Sequence, residues 1–143
     1  MAKNKDDPCK CVIDTHGLRQ IAFASGNRKA LLAAKLSDGT IGVPSWVWQE
    51  FQHNYEEKAA ELAASISKRI TFNRAIHVTA ANVTERMGLG FSLGAYDPHV
   101  ERNCAAVAIN KNLLVLTSEA NLRAYDNMGC EVADLDAWLD EMV

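Results

Sequence analysis

The segment Leu113-Leu114-Val115-Leu116-Thr117 decides the fold class, because it is too short and too apolar for an exposed helix and is typical of a buried strand. Cys11-Val12-Ile13 is a similar apolar run, and two more short strands are predicted over residues 40–43 and 130–133. Residues with helical spacing or helix caps fill the intervals between and after these strands, over 18–24, 28–36, 45–66, 75–87, 97–110, 122–127 and 134–142. Short buried strands separated by helices predict an α/β fold with a mostly parallel sheet.

Length and composition limit the classes of protein to be considered. A chain of 143 residues has the size of one domain, and 48% apolar with 23% charged residues is a globular composition. We expect a flexible tail over residues 1–8 and a single domain over residues 9–143. The net charge of −3 excludes nucleic-acid binding by overall charge but leaves local basic patches open. No apolar stretch approaches the roughly 20 residues of a membrane span, so we expect a cytoplasmic protein.

Acidic residues follow two of the predicted strands. Asp14 comes directly after the first strand, and Glu119 comes two residues after Thr117. The carboxyl ends of parallel strands meet at one edge of a sheet, where ligands bind in such folds. Glu50 and Glu101, in predicted helices, are the two further acids that we place in this group. Carboxylates gathered at one edge repel one another unless cations neutralise them, so the four acids predict a magnesium site in which two ions balance four carboxylates.

Four blocks of the sequence, in order and at matching intervals, resemble the PIN domain, a metal-dependent ribonuclease family. The resemblance covers nearly the whole chain, from Cys11 to Met142. The blocks are the strand and turn Val12-Ile13-Asp14-Thr15-His16, the segment Ile41-Gly42-Val43-Pro44 leading to Glu50, the helix with Glu101 before Cys104-Ala105-Ala106-Val107-Ala108, and the strand Leu114-Val115-Leu116-Thr117 followed by Ser118-Glu119. Intervals of 36 residues from Asp14 to Glu50 and 18 residues from Glu101 to Glu119 are typical of the family.

The resemblance implies a PIN-like three-layer α/β/α fold and hydrolysis of RNA phosphodiester bonds by water. The four acids would be the catalytic residues and would hold Mg²⁺ or Mn²⁺. Hydroxyl and imidazole groups beside them, from Thr15, His16, Thr117 and Ser118, would orient a carboxylate or a metal-bound water. Freestanding domains of this length look most like the VapC-type toxin halves of bacterial toxin–antitoxin pairs, which implies an RNA substrate, an antitoxin partner and a homodimer.

The chain departs from the family pattern at several positions. His16 stands where Asn is usual, and the third and fourth acids are Glu where Asp is commonest, as in a poorly characterised PIN-like subgroup. The third acid has two candidate metal ligands, because Asp97 and Glu101 lie four residues apart on one helix face. The small-residue run favours Glu101, whereas the Asp97-Pro98 pair favours Asp97. These departures support an alternative in which the domain no longer cleaves RNA and serves as a binding or scaffold module.

A local basic cluster consists of Lys68, Arg69 and Arg74 around Phe72. Such a cluster can contact an RNA backbone and stack a base, and it can equally be a solvated charged face. Both interpretations stay open, and the three cations are candidate RNA-binding residues.

Overall fold

The structure, a computed structural model, describes residues 8–87 and 98–142. The strands within these residues are β1 (Cys11–Ile13), β2 (Ile41–Pro44), β3 (Arg69–Ile70), β4 (Leu114–Thr117) and β5 (Val132–Asp134). They form one sheet in the order β3-β2-β1-β4-β5, and each of the four pairings is parallel. β1 therefore lies at the centre of the sheet, and its carboxyl end lies beside those of β2 and β4. The predicted α/β class with a parallel sheet is confirmed.

Helices within the described residues cover the sheet in a three-layer α/β/α arrangement, as the resemblance implies. They are α1 (Thr15–Phe23), α2 (Gly26–Ser37), α3 (Ser45–Asn54), α4 (Glu56–Leu62), α5 (Arg74–Met87), α6 (Pro98–Lys111), α7 (Leu122–Asn127) and α8 (Leu135–Met142), with short 3₁₀ turns at Ala63–Ser65 and Glu119–Asn121. α1 packs against α2, α3 and α4, whereas α5 packs against α6, which in turn contacts β1 and β4. None of the helices in the described part of the chain combines the length and the apolar character needed to cross a membrane.

β1 and β4 form strands because helices cover them and every side chain gains from burial. Val12, Ile13, Val115 and Leu116 have no exposed surface, and burial of a large aliphatic side chain contributes roughly 1.5–3 kcal/mol. Gly17 allows α1 to begin in direct contact with these strands. A Cβ atom there would lie 2.6 Å from Cγ1 of Ile13 and 2.8 Å from the carbonyl oxygen of Leu116. The close packing at this point positions the N-terminus of α1 over the carboxyl edge of the sheet.

The structure corrects several predicted boundaries. The helix predicted over residues 45–66 is interrupted at Tyr55, whose φ of −140° and ψ of 63° are not helical. The Tyr55 ring packs against Phe51 and Phe23, so tertiary packing rather than Pro or Gly ends α3. The helix predicted from residue 18 begins at Thr15, because Asp14 caps it. β3 has no counterpart in the sequence prediction, since two residues show no periodicity, and the last strand lies at 132–134 rather than 130–133.

Two expectations fall on parts of the chain that the structure leaves out. The predicted tail over residues 1–8 lies outside the described residues except for Pro8, and Asp97 lies outside them as well.

Candidate active site

Asp14 follows β1 at the centre of the carboxyl edge of the sheet, and it is fully buried. Its Oδ1 accepts a hydrogen bond from the backbone N–H of Gly17 at 2.8 Å, so the carboxylate is also the N-cap of α1. Its Oδ2 accepts hydrogen bonds from the hydroxyl groups of Thr117, at 2.6 Å, and Tyr125, at 2.8 Å. Donors from α1, β4 and α7 therefore hold one carboxylate in place.

Glu101, in α6, is a second fully buried carboxylate beside the first. Its Oε1 lies 2.9 Å from Nε2 of His16, and its Oε2 has no hydrogen-bond partner among the described residues. One ligand atom from each of Asp14, His16 and Glu101 lies within 4.8 Å of the other two. We call these three residues the acid–histidine group, whose spacing allows the side chains to hold a metal ion.

Glu50, in α3, borders the acid–histidine group. Its Oε1 accepts a hydrogen bond from the hydroxyl of Thr15 at 2.5 Å. Its charge acts on both His16 and Glu101, and its side chain is half-buried. The residue after Asp14 thus positions the carboxylate that comes from α3.

The remaining sequence-predicted residues at this edge lie further out. Glu119 is exposed in the 3₁₀ turn after β4 and is not one of the residues within the 4.8 Å group. Ser118 accepts a hydrogen bond from the side-chain amide of Asn121 at 3.1 Å, which closes this turn. Of the two candidates for the third acid, Glu101 belongs to the acid–histidine group, whereas Asp97 lies outside the described residues.

The three basic candidates lie around the loop between β3 and α5. Arg74 is exposed at the first residue of α5, and Lys68 is half-buried just before β3. The Arg69 guanidinium lies over the ring of Trp48, 5.4 Å from its centroid.

Burial is the main cause of the raised pKa values of the two carboxyl groups in the acid–histidine group. Burial raises the pKa of Asp14 above its usual range, although hydrogen bonds from Thr117, Gly17 and Tyr125 oppose this effect. Burial, with the charges of Asp14 and Glu50, raises the pKa of Glu101 from 4.5 to about 7 against the opposing influence of His16. For His16, burial lowers the pKa, but the hydrogen bond to Glu101 and the neighbouring carboxylates outweigh it, and the net shift is upward. The group therefore favours added positive charge, which a proton or a metal cation can supply.

Tyr125 is the site residue that the sequence analysis missed. It is fully buried in α7, and burial followed by the charge of Asp14 raises the pKa of its hydroxyl well above 10. Its hydroxyl therefore stays protonated and donates to the carboxylate. Leu122 and Tyr125 lie three residues apart and therefore on the same face of the predicted helix. A tyrosine that is buried on such a face needs an acceptor for its hydroxyl, and this requirement is the feature of the sequence that could have identified Tyr125.

Comparison with known proteins identifies solved structures that share this architecture. No family model matches the sequence, and no curated protein matches it. Solved structures do. PAE2754 from Pyrobaculum aerophilum superimposes with a TM-score of 0.66 at 12% identity, covering 94% of this chain and 89% of that one. The DNA-bound VapBC from Salmonella typhimurium gives a TM-score of 0.67 at 16% identity, covering 89% of this chain and 98% of that one. FitAcB from Neisseria gonorrhoeae gives a TM-score of 0.62 at 12% identity, covering 87% of this chain and 97% of that one.

At these identities the likeness concerns the fold, and it agrees with the parallel sheet and the acids at its carboxyl edge. The chain therefore has the VapC-type PIN fold.

Proposed function

We propose that the protein is a divalent-metal-dependent endoribonuclease of the VapC type. One observation carries the proposal: two fully buried carboxylates, Asp14 and Glu101, meet at the carboxyl edge of the sheet, and Oε2 of Glu101 has no partner there among the described residues. A buried unpaired carboxylate oxygen costs several kcal/mol unless a ligand meets it. A bound cation would meet this oxygen and offset the cost.

The donor set fits a hard divalent cation. Asp14 uses three of its about four lone-pair positions for hydrogen bonds and keeps one available. Oε2 of Glu101 supplies a second oxygen, and carboxylate oxygens are what Mg²⁺ and Mn²⁺ prefer. In this proposal, Asp14 and Glu101 would hold the cation directly, and Glu50 and Glu119 would contribute through water. With its proton on Nε2, His16 would donate to Oε1 of Glu101, and Oε2 would be available to a cation.

The chemistry proposed is the attack of water on an RNA phosphodiester. A bound divalent cation would lower the pKa of that water and offset the negative charge of the phosphate. Thr117, Tyr125 and the N–H of Gly17 keep Asp14 in one orientation, so it loses little freedom when the transition state forms. Thr15 does the same for Glu50. Ser118 closes the turn that carries the exposed Glu119.

The proposed biological setting is a toxin–antitoxin pair. The structural neighbours include VapBC from two bacteria and FitAcB, and the two VapBC structures are complexes bound to DNA. We propose an antitoxin protein that covers the acidic cleft, a homodimer as the assembly, and cytoplasmic RNA as the substrate.

One observation favours a second candidate, a binding module that has lost cleavage. His16 replaces the Asn that is usual in the family, and its ring contacts Glu101 at 2.9 Å. A protonated His16 would balance part of the charge that a cation balances in the first candidate. The two candidates differ in whether Mn²⁺ binds and whether RNA is cut.

Cleavage of a labelled single-stranded RNA tests the proposal. The wild type and Asp14→Asn are each incubated with Mn²⁺ and with EDTA. Asp140→Asn serves as the matched control, because Asp140 is exposed and forms an ion pair with Arg28. We expect cutting by the wild type and by Asp140→Asn in Mn²⁺, and none by Asp14→Asn or in EDTA. Absence of both Mn²⁺ binding and cutting by the wild type would reject the metal site and favour the non-cleaving module, whereas Mn²⁺ binding without cutting would keep the metal site and reject the cleavage of this RNA.

A further inference from the structure

A second feature of the carboxyl edge lies two strands away from Asp14. β3 pairs in parallel with β2, so the loop after β3, residues 71–73, emerges at the same edge as the acid–histidine group. Strands in a sheet are about 4.8 Å apart, which places this loop roughly 10 Å from the end of β1. Phe72 in this loop keeps 45% of its side chain exposed.

The Phe72 ring is held in place although it is exposed. It makes edge-type contacts with the rings of Trp46, at 5.7 Å and 85°, and His77, at 6.0 Å and 70°. We call Phe72, Trp46 and His77 the aromatic platform. A ring with fixed neighbours loses little conformational freedom when a planar ligand stacks on it.

Trp46 connects the aromatic platform to the acids. Its indole N–H donates to the backbone carbonyl of Val100 at 3.2 Å, and Val100 directly precedes Glu101. Trp46 also lies four residues before Glu50 in α3, and therefore on the same face of that helix. A nucleotide on the platform would thus neighbour the one whose phosphate reaches the acids.

The charges around the aromatic platform suit a polyanion. Residues 62–84 contain Lys68, Arg69 and Arg74 and no Asp or Glu, within a chain whose net charge is −3. Arg69 and Arg74 are exposed, and they flank Phe72 in the sequence, three residues before it and two residues after it. An aromatic ring between exposed cations is the pattern with which proteins bind single-stranded nucleic acid, the bases stacking on the ring and the phosphates pairing with the cations.

We infer that the aromatic platform is a subsite of the proposed ribonuclease, with Phe72 stacking a base of single-stranded RNA next to the cleaved bond and Arg69 and Arg74 contacting its phosphates. The inference rests on the proposed function. Phe72 would raise the affinity for RNA without selecting a particular base, because every base presents a flat face for stacking.

RNA binding by non-cleaving protein tests the inference. A short, fluorescently labelled single-stranded RNA is titrated by anisotropy into Asp14→Asn alone and in combination with Phe72→Ala, Phe72→Tyr or Phe23→Ala. Phe23 is the matched control, because it is an exposed phenylalanine, 53% accessible, with an aromatic neighbour and two cations at its ring. It ends α1, roughly 13 Å along the helix axis from the edge that carries Asp14.

Stacking of one base corresponds to about 5- to 150-fold in affinity. We expect that loss for Phe72→Ala, little change for Phe72→Tyr, and affinity close to the parent for Phe23→Ala. A series of RNAs, each with one abasic nucleotide at a different position, identifies the base that stacks. At one position the missing base should weaken binding to the parent protein. The same RNA should bind Phe72→Ala no more weakly than intact RNA does, since two changes that remove the same contact are not additive. In the cleaving protein, Phe72→Ala should raise KM and leave kcat nearly unchanged.

The outcomes separate this inference from the proposed function. Cleavage by the wild type, together with equal RNA affinities for Phe72→Ala and Phe23→Ala, would overturn the subsite and leave the ribonuclease intact. RNA binding that depends on Phe72, without cleavage by the wild type, would uphold the subsite and reject the nuclease. Absence of both binding and cleavage would reject both.

Discussion

Glu101→Gln tests the claim that the acid–histidine group carries uncompensated charge. The substitution removes a buried negative charge and keeps the shape of the side chain, and the amide oxygen can still accept from His16. Because burial and neighbouring carboxylates raise the pKa of Glu101 from 4.5 to about 7, ionising this group in the folded protein costs about 3 kcal/mol more than in the unfolded chain. The glutamine variant has no such cost.

The sign of the pH dependence follows from the direction of the shift. The folded protein holds the Glu101 proton more tightly than the unfolded chain does, so wild-type stability falls as the pH rises from 4.5 to about 7. The raised pKa of His16 acts in the same direction, since its contribution is present below pH 6.5 and is lost as the pH rises through its folded value. Glu101→Gln should therefore match the wild type near pH 4.5 and exceed it at pH 8.

Thermal melting in EDTA at both pH values measures the difference. For a chain of this size 1 kcal/mol shifts Tm by about 3 °C, so we expect the variant to melt up to roughly 9 °C higher than the wild type at pH 8. Glu131→Gln is the control, because Glu131 is exposed. Addition of Mn²⁺ at a hundred times its Kd should stabilise the wild type by about 2.7 kcal/mol and the variant by much less. A variant that melts below the wild type at pH 8 would show that ionised Glu101 is already compensated, and the argument for a cation site would fail.

Two further substitutions probe the support of the site. Tyr125→Phe removes one of three donors to the buried Asp14 carboxylate. We expect the free energy of unfolding, measured by urea denaturation at neutral pH, to fall by about 1–3 kcal/mol. We expect Mn²⁺ binding, measured by titration calorimetry, to weaken by at least about 10-fold, and an unchanged Mn²⁺ affinity would show that Tyr125 does not support the site. Gly17→Ala places a Cβ atom 2.8 Å from the carbonyl oxygen of Leu116. Because relieving this clash requires the backbone to move, we expect the free energy of unfolding to fall by about 1–3 kcal/mol. An unchanged free energy of unfolding would mean that α1 shifts freely on the sheet.

The sequence predicts best what local pattern determines. The runs at Cys11–Ile13 and 114–116 are apolar throughout, so their identity as buried strands and the parallel sheet follow from composition and length alone. Asp14 could be placed at the sheet edge because it directly follows the first of these runs. The two-residue strand β3 could not be predicted, since its existence depends on pairing with β2 rather than on its own residues.

Contacts between distant residues set the limit of prediction within the site. The bond from Tyr125 to Asp14 spans 111 positions, and no local spacing reports it. The position of Glu119 illustrates the same limit. Its place two residues after Thr117 puts it at the correct edge, but the 3₁₀ turn that turns its side chain toward solvent depends on the Ser118–Asn121 contact. Likewise, no local spacing predicts the contact of His16 with Glu101, which lies 85 positions away in the chain.

The donors that hold Asp14 determine when the site can exist during protein synthesis. Thr117 and Tyr125 follow Asp14 by 103 and 111 positions, and ribosomes add about 5–20 residues per second. The carboxylate is therefore made roughly 5–20 s before its last donor, and until then β1 also lacks its neighbour β4. An enzyme of the proposed kind, built this way, acquires its cutting centre only after Tyr125 has left the ribosome, so until then it cannot destroy the message from which it is being translated.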